Sequence, residues 1–400
     1  MRVLFVTHNI PRVDGDAAGS FVLRLAVALQ ASGARVDVIA PSGAGAHALD
    51  CIEGVNISRV RYATDKRMTL AYSGTMADAV RSSWSARFAL LGLLKALRRA
   101  TIAAVGAARV SGTPYDVVHV HWWFPSGLAL WRAFRHGAPP IVLTMHGSDV
   151  RLAQRVRPAH AIMRGVLKTA SVRTAVSTWL AEIATRLVGG LDVQVAPMPV
   201  DDRYFDVAHP GGAMGKSGTR NGVLFVGRLN AQKGLAHLIT ALAQPALRDA
   251  SLDVVGEGPD KSALYAQATS LGVLTRIRWH GAQPPDALAQ FYRRAMVVAM
   301  PSSEEGLGLV AVEAQLCGTP VVAFASGGLR DVVCAAWGGT LVPVRDTTAL
   351  AAAIAKVLSI TPDEATQNAM RNAMRKRFAP SVVASRYLAL YAEAINGPAE

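Results

Sequence analysis

Short apolar runs rich in Val, Ile and Leu recur along this chain, separated by stretches whose apolar residues repeat at helical spacing. Val3–Thr7 reads as a strand, Phe21–Ser32 as a helix that stops at Gly33, and Arg35–Ala40 as a strand ended by Pro41. Further strands are expected at Val117–His121, Ile141–Met145 and Ser171–Val176. The pattern then starts again with Val223–Val226, Asp253–Val255, Arg276–Trp279, Val297–Met300 and Pro320–Phe324. Runs with no polar alternation suit strands covered on both faces, and the helical stretches between them supply the cover. The pattern predicts two successive α/β domains, each a doubly wound parallel sheet, spanning residues 1–200 and 201–380. The boundary is expected near Pro197-Met198-Pro199-Val200-Asp201 and the loose stretch His209–Asn221, which has no hydrophobic period.

Four hundred residues are enough for two cores of ordinary size. No apolar run is long and uncharged enough to span a bilayer, and Met1–Val6 reads as a strand rather than a signal peptide. Cys51, Cys317 and Cys334 lack metal-ligand spacing, which predicts reduced thiols in a cytoplasmic protein. The charge is lopsided. Residues 1–200 carry 23 Lys and Arg against 11 Asp and Glu, a net +12, whereas residues 201–400 carry 19 against 17, a net +2. A basic excess in one half predicts an anionic partner there, a lipid surface or glycan in preference to nucleic acid. On one ideal helix Arg81, Arg87, Lys95, Arg98, Arg99 and Arg109 share about a third of the circumference, with Leu90, Leu93, Leu94 and Leu97 on a neighbouring arc. Such a helix either lies in a membrane interface or packs its leucines on the sheet, with Gly92 and Gly106 as candidate breaks.

The densest chemistry lies at Pro301–Glu313. Glu305 precedes a glycine-broken turn, Gly306-Leu307-Gly308, and Glu313 follows on a helix. Eight residues of helical rise separate the two acids by about 12 Å. A helix start favours a phosphate, and glycines let backbone N–H groups come close. Two hydroxyl acceptors flanking a phosphate nest outline a sugar-nucleotide site. Upstream, Gly227-Arg228-Leu229-Asn230-Ala231-Gln232-Lys233-Gly234 leaves a strand and opens a helix. Arg228 and Lys233 are placed to reach one diphosphate, the former as a fork and the latter as a point charge.

These segments, with Cys317-Gly318-Thr319-Pro320-Val321-Val322 downstream, resemble the donor-site motifs of retaining glycosyltransferases of family 4. The resemblance implies the GT-B fold, two Rossmann-like domains facing a central cleft, with residues 381–400 forming a helix that returns to the first domain. It implies that Arg228, Lys233 and the N–H groups near Gly308, Leu309 and Val310 neutralise the departing diphosphate. Glu305 then holds sugar hydroxyls and Glu313 the ribose. Gly227 shapes the phosphate turn, and Gly258 in Val255-Gly256-Glu257-Gly258-Pro259 lies beside the nucleoside. That loop lacks the dinucleotide glycine spacing and so gives a nicotinamide role little support. Two departures are Leu307, where Phe is usual, and Pro199, where Gly is common.

In the first half, Gly19 and Ser20 open the first helix after the loop Asp14–Gly19 and offer N–H groups to a substrate. His121 ends a strand and resembles the family histidine beside the donor sugar. His119 reads as a satisfied core residue. His146 and Asp149 resemble the His-Gly-x-Asp turn on the acceptor side, with helix capping as the other role for Asp149. Trp122 and Trp123 suit either sugar stacking or core packing. Two rival readings use the same residues. His119, His121, His146 and Asp149 could ligate a metal in a hydrolase, or the chain could be a non-catalytic binder of anionic lipid or glycan. The reading taken is an enzyme that moves a sugar from a UDP- or GDP-sugar to the hydroxyl of a glycan or lipid-linked acceptor. It serves surface polysaccharide or glycolipid synthesis at the inner membrane face, with no metal or other cofactor.

Overall fold

The computed structural model describes the chain except residues 14, 17, 44–45, 65–67, 69, 73–75, 77–79, 81–82, 135–136, 206–221, 361–362 and 398–400, and the side chain of Trp337. Arg81, Asp14 and the stretch His209–Asn221 thus lie outside the described residues. The chain divides into two compact units. One comprises Met1–Pro199 with Pro380–Glu400, the other Val200–Ala379.

Unit 1 is built, in chain order, from β1 (Arg2–Val6), α1 (Ser20–Ala31), β2 (Arg35–Pro41), β3 (Leu49–Ile52), β4 (Val55–Val60), α2 (Trp84–Val110), β5 (Val117–His121), β6 (Ile141–Met145), α3 (Ser148–Arg155), α4 (Arg157–Leu167), β7 (Val172–Ala175), α5 (Thr178–Val188) and β8 (Gln194–Val195). Its sheet runs β3-β4-β2-β1-β5-β6-β7-β8, and β3 alone of these pairs antiparallel to its neighbour. β1, β5 and β6 are buried almost throughout, which is why they read as unbroken apolar runs. β3 and β4 escape that pattern. β4 alternates buried and exposed positions, and β3 is largely uncovered, so Val55–Val60 carries no buried-strand signature.

Unit 2 contains β9 (Val223–Val226), α6 (Leu235–Leu242), β10 (Leu252–Val255), α7 (Lys261–Ser270), β11 (Ile277–Gly281), α8 (Pro285–Arg294), β12 (Val297–Met300), α9 (Leu309–Leu316), β13 (Val321–Phe324), β14 (Thr340–Val342), α10 (Thr347–Leu358) and α11 (Glu364–Phe378). All strands are parallel in the order β11-β10-β9-β12-β13-β14. Phe225, Ile239, Val254, Val322, Phe324 and Ile354 belong to its core. Each sheet is therefore wound outward in two directions from a central pair of strands. That pair is β1 and β5 in unit 1, and β9 and β12 in unit 2. Where the winding reverses, the loops leaving the two strands part and open a crevice at their carboxyl ends.

The last helix, α12 (Pro380–Asn396), belongs to unit 1 and packs against α1 and β5–β7. Its Tyr387 donates to the Ala196 carbonyl at 3.0 Å, and the Tyr391 hydroxyl lies 2.8 Å from His119 Nδ1. His119 Nε2 lies 2.8 Å from Thr144 Oγ1, which is itself 2.7 Å from Thr174 Oγ1. Both ring nitrogens of His119 are thus satisfied in the core, and the ring is pinned by a helix from the far end of the sequence. Among the described residues no helix is long and apolar enough to cross a membrane.

Removing the Tyr391 hydroxyl leaves one buried imidazole nitrogen unpaired. Tyr391→Phe is expected to cost about 1–3 kcal/mol of stability, read as a lower urea midpoint with unchanged slope.

Candidate active site

In unit 2 the chemistry gathers where β9 and β12 diverge. The loop after β9 makes a tight turn in which Asn230 Oδ1 and the Asn230 carbonyl both accept from the Lys233 N–H. This turn lies against the loop after β12. Gln232 Nε2 donates to the Glu304 carbonyl at 2.9 Å, and the Ser303 N–H donates to the Gln232 carbonyl at 2.9 Å. Across that seam Lys233 Nζ stands 2.7 Å from Glu305 Oε2, with both side chains mostly buried. Arg228 lies exposed on the same loop, and Gly227 anchors its start through an N–H bond to the Val255 carbonyl.

Gly308 holds the start of α9 in the left-handed region, at φ 93°, and no side chain caps the helix. A β-carbon there would sit 2.8 Å from Leu329, so both space and backbone favour glycine. Leu309 and Val310 occupy the first turn, whose N–H groups have no partner within the helix. Gly258 sits so close to the Leu229 backbone that a β-carbon would meet its carbonyl oxygen at 2.3 Å. This close approach fixes the loop after β10 beside the turn after β9.

Glu313, on α9, accepts from the Tyr292 hydroxyl of α8 at 2.7 Å. Burial pushes its carboxyl pKa up to about 7, with the Tyr292 hydrogen bond and the charges of Arg203 and Lys233 pulling the other way. Lys233 therefore acts electrostatically on both predicted acids. Of the predicted residues in this unit, the structure brings Lys233, Glu305, Glu313 and the α9 start together. Asn230, Gln232 and Tyr292 were missed, and Tyr292 carries no motif because it is one aromatic among helical positions.

In unit 1 the corresponding crevice lies after β1 and β5. Gly19 precedes α1 at φ 67°, where a β-carbon would meet the Asn9 carbonyl oxygen at 2.4 Å. His121 ends β5 with its Nδ1 3.1 Å from His146 Nε2, its ring on His119 at 4.1 Å and against Phe5 at 4.8 Å. Its remaining nitrogen, Nε2, is buried with no partner among the described residues, as are His8 Nδ1 and Asn9 Oδ1 on the loop after β1. Burial lowers the pKa of His121 and of His8 to about 3 and carries those of His119 and His146 well below the ordinary value. All four are neutral imidazoles at neutral pH. His8 and Asn9 were not among the predicted site residues, although they follow a strand end as directly as His121 does.

Trp122 and Trp123 are both buried, which selects core packing over sugar stacking. Trp122 holds φ at 64°, a costly conformation for a bulky residue, and its ring packs on His8 and His146 at 4.5 and 4.2 Å. Asp149 is buried, and its carboxylate accepts from the N–H groups of His146, Gly147 and Trp123. It shapes the turn that carries His146. Burial raises its pKa against the lowering pull of those three N–H groups and of the Val150 N–H. The same geometry speaks against the hydrolase. His119 is satisfied on both nitrogens, Asp149 is spent on backbone, and among the described residues no three His, Cys, Asp or Glu side chains are grouped to hold a metal ion. A cavity of about 500 Å³ lined by Arg2, Arg35 and Asp37 lies at the opposite, amino ends of β1 and β2, far from this chemistry.

Comparison with known proteins agrees with the geometry. Residues 18–204 match the family described as Glycosyltransferase Family 4, and residues 213–377 match Glycosyl transferases group 1. A D-inositol 3-phosphate glycosyltransferase of Xylanimonas cellulosilytica is 36% identical over 303 residues, covering 70% of this chain and 72% of the relative. Sucrose-phosphate synthase from Thermosynechococcus elongatus has a TM-score of 0.78 at 23% identity, with 99% of each chain covered. Anabaena HepE, solved in complex with UDP-glucose, has a TM-score of 0.68 at 19% identity, with 98% of this chain and all of that one covered.

The neutral histidines set a pH dependence. The folded protein refuses protons on His119 and His121 that the unfolded chain accepts below 6.5, so stability falls as the pH falls through that value. Each such histidine contributes a slope of ~1.4 kcal/mol per pH unit. Urea denaturation above and below pH 6.5 is expected to show it, with a shallower slope in His121→Gln.

Proposed function

Since the chain belongs to the family 4 glycosyltransferases, we propose that it is a retaining enzyme that uses a UDP- or GDP-sugar and a hydroxyl acceptor. Unit 2 takes the donor. The diphosphate lies over the start of α9 and draws Lys233 away from Glu305, with Arg228 adding a second cation from the exposed edge. Glu305, released from the lysine, accepts sugar hydroxyls, and Glu313 accepts those of the ribose. The observation that carries this reading is the Lys233–Glu305 pair at the switch point: a cation and a hydroxyl acceptor prepositioned on adjacent loops. The complex of HepE with UDP-glucose supports a nucleotide-sugar donor by analogy of fold.

In the reaction the bond from the anomeric carbon to the diphosphate oxygen breaks, and the acceptor oxygen bonds to the same face. The acceptor proton passes to the departing phosphate. Positive charge from Lys233, Arg228 and the α9 start stabilises the diphosphate as it leaves, and this scheme requires neither metal nor protein nucleophile. Neutral His121, with its buried Nε2 unpaired among the described residues, serves as a hydroxyl partner. The acceptor is read as anionic, a lipid-linked or phosphate-bearing glycan precursor in surface polysaccharide or glycolipid synthesis at the inner membrane face. The net +12 of residues 1–200 supports this, as does the phosphorylated acceptor in the name of the Xylanimonas relative.

Two outcomes test the donor assignment. Lys233→Ala is expected to lower kcat at least about a hundredfold while leaving the melting temperature near that of the parent; unchanged turnover with the cognate donor contradicts the role. Glu313 accepts a hydroxyl hydrogen bond best when ionised, so donor affinity is expected to rise as the pH passes upward through about 7. Titration calorimetry with the nucleotide-sugar is expected to show that rise in the parent and a flat profile in Glu313→Gln.

A further inference from the structure

Helix α2 runs unbroken for 27 residues, from an N-cap in which Ser83 Oγ accepts from the Ala86 N–H. It passes through both of its glycines. At Gly92 the Tyr62 carbonyl comes so close that a β-carbon would sit 2.2 Å from it, so the glycine marks tight packing rather than a break. Leu93 and Leu97 are buried, and Leu90 and Leu94 are half-buried. The leucine arc is therefore the core-facing side of the helix, and it cannot be what meets a membrane.

The opposite side is unusual. Trp84, Phe88 and Leu91 are 72%, 68% and 62% exposed, and Ile102 is also exposed. Placed at the helical repeat, these four share an arc of about a third of the circumference with Arg87, Lys95, Arg98, Arg99 and Arg109. The helix has five cations and no acidic residue. Arg98 is tied to the carbonyls of Trp131 and Arg132, and the Arg87 guanidinium lies 4.3 Å from the Trp84 ring centre. Lys95, Arg99 and Arg109 are exposed. Three large apolar side chains one turn apart, standing in water, form a patch that isolated surface residues do not explain.

We propose that this face of α2 seats the protein on an anionic lipid surface, with Trp84, Phe88 and Leu91 entering the headgroup layer and Lys95, Arg99 and Arg109 meeting lipid phosphates. Charge selects this occupant. A second copy would set the same acid-free row of cations against itself, whereas an anionic bilayer complements both the cations and the apolar ridge. Lysine and arginine stems can lie along that ridge while their heads reach the phosphates. The inference deepens the lipid-linked acceptor reading and rests on it for its purpose, but it makes a claim that is measured without donor, acceptor or turnover.

The test is co-sedimentation of the full chain with vesicles of phosphatidylcholine and phosphatidylglycerol, and with vesicles of phosphatidylcholine alone. Binding is expected on the anionic vesicles at low salt, weakening as salt rises. A W84S/F88S/L91S variant and a K95E/R99E variant are each expected to bind at least about tenfold more weakly. Both should keep the parental melting temperature and the parental turnover on a soluble acceptor. Absence of binding to anionic vesicles at low salt overturns the proposal. So does equal binding by either variant, or equal binding to uncharged vesicles. A parent that is dimeric and becomes monomeric in W84S/F88S/L91S also overturns it, because a second copy then covers the face. Any of these outcomes leaves the transferase reading standing, and loss of turnover with vesicle binding intact counts against that reading alone.

Discussion

A lysine and a glutamate 2.7 Å apart at the reversal of a parallel sheet organise everything else in unit 2. Lys233–Glu305 is mostly buried, so desolvation of the two charges offsets much of their attraction, and a net gain in stability does not account for the scaffolding around it. Two loops are stitched together by Gln232 and Ser303, Gly234 presses on the Pro301 carbonyl, and Gly327 presses on that of Glu305. That much local order, spent on holding two opposite charges at a strand end, makes sense if the pair is meant to be separated by a ligand. An anion takes the lysine, and hydroxyls take the carboxylate. The pair is then a site held closed by its own charges, and the start of α9 adds a third element already aimed at negative charge.

Unit 1 solves a different problem. Its strand-end cluster is made from uncharged groups: four histidines stripped of their protons by burial, packed with Phe5 and Trp122. Desolvation is costly for charge but cheap for a neutral ring whose nitrogens are paired. His119 is fully paired through Tyr391 and Thr144, and that fixes the floor on which His121 stacks. The atoms without a partner among the described residues, on His8, Asn9 and His121, are buried at the strand ends of the cluster. Neutral donors and acceptors of this kind suit sugar hydroxyls. Five of the cations of unit 1 are on α2, on a face with exposed apolar side chains.

Much of this was legible in the chain. Parallel strands buried on both faces leave apolar runs, so β1, β5, β6, β9, β12 and β13 could be placed from residue type. Val55–Val60 could not, because it is half-exposed and pairs at one side with the short antiparallel strand β3. The pairing of Lys233 with Glu305 was visible only as two motifs 72 residues apart; strand order brings them together, and no local signal encodes it. Asp149 shows the converse, since its motif was legible but its carboxylate is spent on backbone N–H groups. On α2 the period gave the right cationic arc. It left open whether Leu90, Leu93, Leu94 and Leu97 meet a membrane or the sheet, and the structure turns them inward and leaves Trp84, Phe88 and Leu91 outside. A helix wheel shows which residues share a side, but only packing decides which side is covered.

The central claim, that a diphosphate replaces Glu305 as the partner of Lys233, is tested most directly by a crystal structure of the chain with UDP or GDP bound. The account predicts Lys233 Nζ within hydrogen-bonding distance of a phosphate oxygen, its bond to Glu305 Oε2 broken, and the phosphates over the N–H groups of Leu309 and Val310. A nucleotide bound elsewhere, with the Lys233–Glu305 pair intact, contradicts it.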